Sequence, residues 1–197
     1  MKSQPTRSSA RPVVVAGAVV CWGIAILGFV LALGWHAGRP GPAGSPAPGG
    51  GAPGGFLVTV YAHPHCPCTR ATIEELARII AAAPREARYE VGFFRPAEEP
   101  DRWAYGTTWD NASSIPGVRV WTDPDGRAAA GLGAVVSGHV VVRDANDQVV
   151  FSGGITGSRG HSGDNAGAEA VLSRLLRGEG LSAYPAYGCT IRDEEEE

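Results

Sequence analysis

Residues 56–83 read FLVTVYAHPHCPCTRATIEELARIIAAA, and the pattern changes once along them. Phe56–Ala62 is short, apolar and rich in β-branched and aromatic side chains, the composition of a buried strand. From Thr69 the period lengthens. Ile73, Leu76, Ala77, Ile80 and Ala81 share one helical face, Glu74 and Glu75 lie on the other, and Pro84 ends the run. Between strand and helix stands His63-Pro64-His65-Cys66-Pro67-Cys68, two thiols and two imidazoles at a helix start. The first turn of a helix has unpaired N–H groups and the positive end of the dipole, both of which favour an anion such as a thiolate. A cysteine there can fall well below its free pKa of about 8.5.

Working outward, residues 89–94 read as a second strand and residues 118–121 as a third, with an irregular or weakly helical stretch over 103–114 between them. Asp123-Pro124-Asp125-Gly126 has turn chemistry, and residues 127–132 suit a short helix. Residues 139–142 and 148–151 flank the turn formers of 144–147, a hairpin. The last helix is expected over 166–176, capped by Asp164 and stopped by Gly178. Strands and helices that alternate and then end in an antiparallel pair predict an α/β domain with a mixed sheet flanked by helices.

The chain outside this domain divides by composition. Residues 13–35 are 23 uncharged residues, VVVAGAVVCWGIAILGFVLALGW, long enough to cross a bilayer core of about 30 Å. The preceding residues 1–12 carry Lys2, Arg7 and Arg11 and no acid, which predicts a cytoplasmic N-terminus and an extracytoplasmic (periplasmic) domain. The apolar run exceeds the roughly 7–15 residues of a signal-peptide core, so it reads as a retained transmembrane anchor. Residues 36–55 are mostly Gly, Pro, Ala and Ser and read as a flexible linker. Residues 56–191 form the domain, and 192–197 a solvated acidic tail. A net charge of −3 and no Lys/Arg cluster give no footprint for nucleic acid.

The strand, cysteine-bearing turn and helix, followed by the segment from Asp123 to Gly154, resemble the thioredoxin-like proteins of the membrane-anchored, outward-facing TlpA and ResA type, including the RedB-type group. That resemblance implies a thioredoxin-like fold over residues 56–177, activity toward protein thiols and disulfides, and a membrane-bound reductant as partner. Two departures stand out. The family motif is Cys-x-x-Cys, whereas this chain has Cys66-Pro67-Cys68. Aligned without a gap, His65 takes the place of the attacking cysteine; aligned with one gap, Cys66 does. The family also places a cis-proline before the hairpin strand, where this chain has Ser137-Gly138-His139. Its loss is expected to open the neighbouring space and bring His139 close.

Three cysteines lie beyond the anchor, Cys66, Cys68 and Cys189, with Cys21 inside it. In an oxidising compartment they pair or react. A Cys66–Cys68 bridge closes a tight ring, and Cys189 can instead fold back to resolve a mixed disulfide or to pair with either. The leading expectation is a thiol–disulfide oxidoreductase without an organic cofactor, acting through Cys66, Cys68 and Cys189. A second is a copper(I) chaperone using His63, His65, Cys66, Cys68 and His139, since thiolate and imidazole suit copper(I). A third is a redox-inert binding module of the same fold. Residues 158–165, SRGHSGDN, read chiefly as a glycine loop leading to a cap, with Arg159 and His161 as the rival anion site.

Overall fold

The computed structural model describes residues 10–42, 55–83 and 87–192. Lys2 and Arg7, residues 43–54 of the expected linker, Pro84 and the acidic residues 193–197 lie outside the described residues. The chain divides into two units, Met1–Ala37 and Gly38–Glu197.

The first unit is one helix, α1, spanning Ala10–Ala37. Its segment Val14–Ala37 has a mean hydropathy of 2.6 and is long and apolar enough to cross a membrane.

The second unit is built on a six-stranded sheet in the order β3-β2-β1-β4-β5-β6. The strands are β1 (Phe56–Ala62), β2 (Ala87–Arg95), β3 (Val118–Pro124), β4 (His139–Arg143), β5 (Val149–Gly153) and β6 (Ala183–Tyr184). The helices are α2 (Thr69–Ala82), α3 (Thr107–Ser113), α4 (Arg127–Gly131) and α5 (Ala166–Arg177). Strand β1 is central. It pairs in parallel with β2, Phe56 opposite Ala87, and antiparallel with β4, Tyr61 opposite His139. A β-α-β unit joined to a β-β-α unit with β4 reversed is the thioredoxin-like arrangement, here extended by β3 beside β2 and β6 beside β5.

Alternation along the strands sorts side chains into two cores. Val58, Val60, Val91, Phe93, Val140 and Val142 face the side covered by α2, α3 and α5, where Leu76, Ile79 and Val171 complete the packing. Tyr61, Phe94 and Val141 face the other side and meet Ala129, Leu132 and Ile191. Because β1 is covered on both faces, its residues run apolar without the alternation of a half-exposed strand.

The stretch read as irregular or weakly helical resolves into a 3-10 turn at Asp101–Ala104 and the helix α3. Two local expectations change. The turn after β3 contracts to Asp125-Gly126, both left-handed at φ 53° and 59°. Pro124 stays in the strand opposite Arg95, where an edge position tolerates its missing N–H. Asp123 is buried, and its carboxylate accepts the Ala128 and Ala129 N–H groups at 2.9 Å each, so it caps α4. The cap of α5 is Asn165, not Asp164. Asn165 Oδ1 accepts from the Ala168 N–H at 2.9 Å while its Nδ2 donates to the carbonyls of Ile155 and Gly163, a double role no carboxylate can fill. Strand β6 is an addition, two residues long and therefore without a period to read.

Candidate functional site

The site forms where β1 runs out. Beyond Ala62 the chain turns on itself, with the Cys66 N–H donating to the His63 carbonyl at 3.2 Å and the Thr69 N–H to the Cys66 carbonyl at 3.1 Å. Cys68 is the N-cap residue of α2 and makes no side-chain cap bond. Cys66 therefore sits two residues ahead of the cap, folded back over the strand end.

Three segments distant in sequence meet at Ser137, which is fully buried. Its Oγ accepts the His63 N–H at 2.8 Å and lies 2.8 Å from Thr69 Oγ1. Thr69 in turn donates its hydroxyl to the His63 carbonyl at 3.0 Å. On its other side, the Ser137 N–H donates to the Cys189 carbonyl at 2.8 Å, and the Ile191 N–H donates to the Val135 carbonyl at 3.0 Å. With an antiparallel bridge between Val136 and Thr190, these bonds lay the C-terminal segment along residues 135–137. Gly188 is needed for that approach, since a Cβ there would collide with the Ser137 carbonyl.

The outcome is a sulfur pair. Cys66 Sγ lies 3.2 Å from Cys189 Sγ, across 123 residues of chain. Of the two alignment frames, this contact falls on Cys66; His65 is exposed, its ring 4.6 Å from that of Trp103. The three thiols differ in access. Cys66 is 3% exposed, Cys68 is half-buried and Cys189 is exposed.

They differ in acidity as well. Burial alone would push the Cys66 thiol up, but the backbone N–H groups of Cys189 and Cys68, the Cys189 thiol and the Ser137 hydroxyl outweigh it, so its pKa is lowered. Cys68 moves the other way, through burial and the negative charge and hydrogen bond of Cys66, opposed by Arg159 and the Gly160 N–H. Cys189 is pushed up to about 11 by burial and by the neighbouring Cys66. The anion-holding groups around Cys66 thus come partly from the start of α2, through Cys68, and partly from the C-terminal segment and Ser137.

Among the described residues no group of three or more His, Cys, Asp or Glu side chains is arranged to hold a metal ion. His63 is buried and stacks on Phe94 at 5.4 Å, and its Nδ1 accepts the His65 N–H at 3.2 Å. His139 is buried on β4, with Nε2 2.8 Å from Ser152 Oγ, so its hydrogen bond goes to the hairpin and not to the thiols. The space expected beside Gly138 is filled. Gly138 has φ 89°, and a Cβ there would lie 2.5 Å from Thr72 Oγ1. Arg159, which the rival reading of residues 158–165 makes an anion ligand ahead of α5, donates to the Gly188 carbonyl beside Cys189.

No local pattern marks the hydroxyls of Ser137, Thr69 and Thr72 as part of the site. Their roles depend on β4 lying against β1, a pairing invisible to local patterns. Glu75, buried in α2, likewise accepts from Arg78 and from the Gly163 N–H, tying the glycine loop to the helix.

No family model and no curated protein matches the chain. Among solved structures it is similar to an uncharacterized conserved protein from Geobacillus kaustophilus, at 18% identity and a TM-score of 0.55, covering 79% of this chain and 94% of that one. It is also similar to the hypothetical protein SMc02350 from Sinorhizobium meliloti 1021, at 17% identity and a TM-score of 0.53, covering 80% and 98%. A secreted Mycobacterium tuberculosis disulfide oxidoreductase homologous to E. coli DsbE aligns more loosely, at 16% identity and a TM-score of 0.43 over 62% of this chain and 81% of that one. These identities bear on the fold alone.

Proposed function

We propose that the chain is a membrane-tethered thiol–disulfide oxidoreductase whose redox couple is Cys66–Cys189. The observation that carries this reading is the 3.2 Å approach of the two sulfurs, with Cys66 supported as a thiolate. Forming the bond requires the sulfurs to close by roughly 1 Å, to the S–S length of about 2.05 Å. A disulfide that only staples the fold needs proximity and nothing more. Donors grouped around one sulfur are what a reacting thiolate needs, because charge appears there each time the bond opens. The α1 helix serves as the anchor, with Lys2, Arg7 and Arg11 on the cytoplasmic side and the domain outside, where an oxidising compartment allows the couple to cycle. Its partners are protein thiols and disulfides, and a membrane-bound protein restores its redox state.

Trapping free thiols in the full-length protein and mapping bridges by mass spectrometry tests this. The expected oxidised form holds Cys66–Cys189 with Cys68 free. With glutathione disulfide as oxidant, Cys66→Ser and Cys189→Ser both abolish formation of the intramolecular bridge, and Cys68→Ser keeps it. A Cys66–Cys68 bridge in the oxidised wild type would reject the couple. A Cys66–Cys189 bridge that native protein never exchanges would make it a staple.

A further inference from the structure

We infer that substrate exchange takes place at Cys189, with Cys66 as the internal leaving thiolate. This rests on the Cys66–Cys189 couple proposed above. The polarity follows from the asymmetry of the two sulfurs. Thiol–disulfide exchange needs an incoming thiolate to reach one sulfur in line with the bond, and the other sulfur leaves with the electron pair. Cys66 is 3% exposed and enclosed by the 63–68 turn, by Ser137 and by Cys189 itself, so an outside nucleophile has no path to it. Cys189 is exposed, between the buried Gly188 and the exposed Thr190.

The charge has a matching destination. When the bond opens by attack on Cys189, the electron pair goes to Cys66, where the N–H groups of Cys189 and Cys68 and the Ser137 hydroxyl receive it. Attack on Cys66 would place the pair on Cys189, the sulfur that holds its proton more tightly. Leaving thiols of lower pKa leave faster, so access and charge favour the same sulfur. The Arg159 guanidinium, anchored on the Gly188 carbonyl, stands beside the attacked sulfur and attracts an incoming thiolate.

The steps balance. A substrate thiolate attacks Cys189 Sγ, the Cys66–Cys189 bond breaks, and a substrate–Cys189 mixed disulfide forms with Cys66 as thiolate. A second thiolate of the same substrate attacks the substrate sulfur of that mixed disulfide and expels Cys189, which takes up a proton. The substrate dithiol has been oxidised by two electrons and the domain's disulfide reduced by two. A substrate with one thiol stops at the mixed disulfide.

Oxidised full-length protein mixed with a single-cysteine peptide, quenched in acid at short times and peptide-mapped, tests the polarity. The expected adduct sits on Cys189 with Cys66 free, in wild type and in Cys68→Ser alike. A first adduct on Cys66 or Cys68 overturns the inference. With a two-cysteine peptide the first adduct should again sit on Cys189; a first adduct on Cys66 or Cys68 overturns the inference. Absence of a Cys66–Cys189 bridge before any peptide is added is a separate failure, that of the couple itself.

Discussion

Ser137 and Cys189 are joined backbone to backbone, the Ser137 N–H donating to the Cys189 carbonyl at 2.8 Å. The same serine takes the His63 N–H on its hydroxyl, so one buried residue sets the distance between the turn that carries Cys66 and the segment that carries Cys189. Its single hydroxyl proton has two acceptors, Thr69 Oγ1 and the Cys66 sulfur. Ser137 is thus a positioning residue that also answers the charge on Cys66.

Ser137→Ala keeps the backbone bond to Cys189 and removes the hydroxyl. The Ser137 hydroxyl is one of the groups that lower the Cys66 pKa, so its loss lowers the thiolate fraction of Cys66. The expected result is an upward shift in the pH midpoint of Cys66 alkylation in the reduced protein, with Cys66–Cys189 still forming on oxidation. An unchanged midpoint would separate Ser137 from the thiolate and leave it a purely structural residue.

Gly138 stands where the resemblance expects a proline, with φ 89° and Thr72 Oγ1 2.5 Å from the position of a Cβ. Its N–H donates to the Tyr61 carbonyl at 2.8 Å, a bond a proline cannot make. Gly138→Ala therefore meets both an unfavourable backbone region and a side-chain clash, on the order of 1–3 kcal/mol. Adding Thr72→Ala should recover the steric part and leave the conformational part. Urea unfolding of the two variants checks this; a double variant no more stable than Gly138→Ala would place the cost wholly in the backbone.

The parts of the molecule legible in sequence are those with a local pattern. Strand β1 falls on the expected Phe56–Ala62, and α2 begins at the expected Thr69, because a short continuous apolar run rich in β-branched residues gives way to a period of 3.6 at the cysteines. The hairpin of β4 and β5 follows from its turn chemistry, with Asp144 Oδ1 accepting the Asn146 and Gln148 N–H groups at 2.9 Å each. The thiols themselves were visible too, including Cys189 as a partner folding back. What stayed hidden is what makes Cys66 the acidic one. That depends on Ser137 and the Cys189 N–H, both delivered by pairing across more than seventy residues, and no local pattern encodes such a contact. His139 illustrates the reverse case. Its place in sequence suggests nearness to the thiols, yet strand pairing directs its ring to Ser152.

His139 also sets an acid limit on the fold. Burial lowers its pKa from 6.5 to about 4, so the folded protein holds it neutral where the unfolded chain would already be protonated. The unfolded state then binds more protons between these values, and stability falls with falling pH. The contribution is fully present above pH 6.5 and is lost as the pH drops toward 4, a total of about 3 kcal/mol. His139→Gln keeps a polar partner for Ser152 and has nothing to titrate. Its urea midpoint should be nearly level between pH 6.5 and 4.5, where that of the wild type declines. A parallel decline in both proteins would show that the acid sensitivity lies in the carboxylates and that this imidazole takes no part in it.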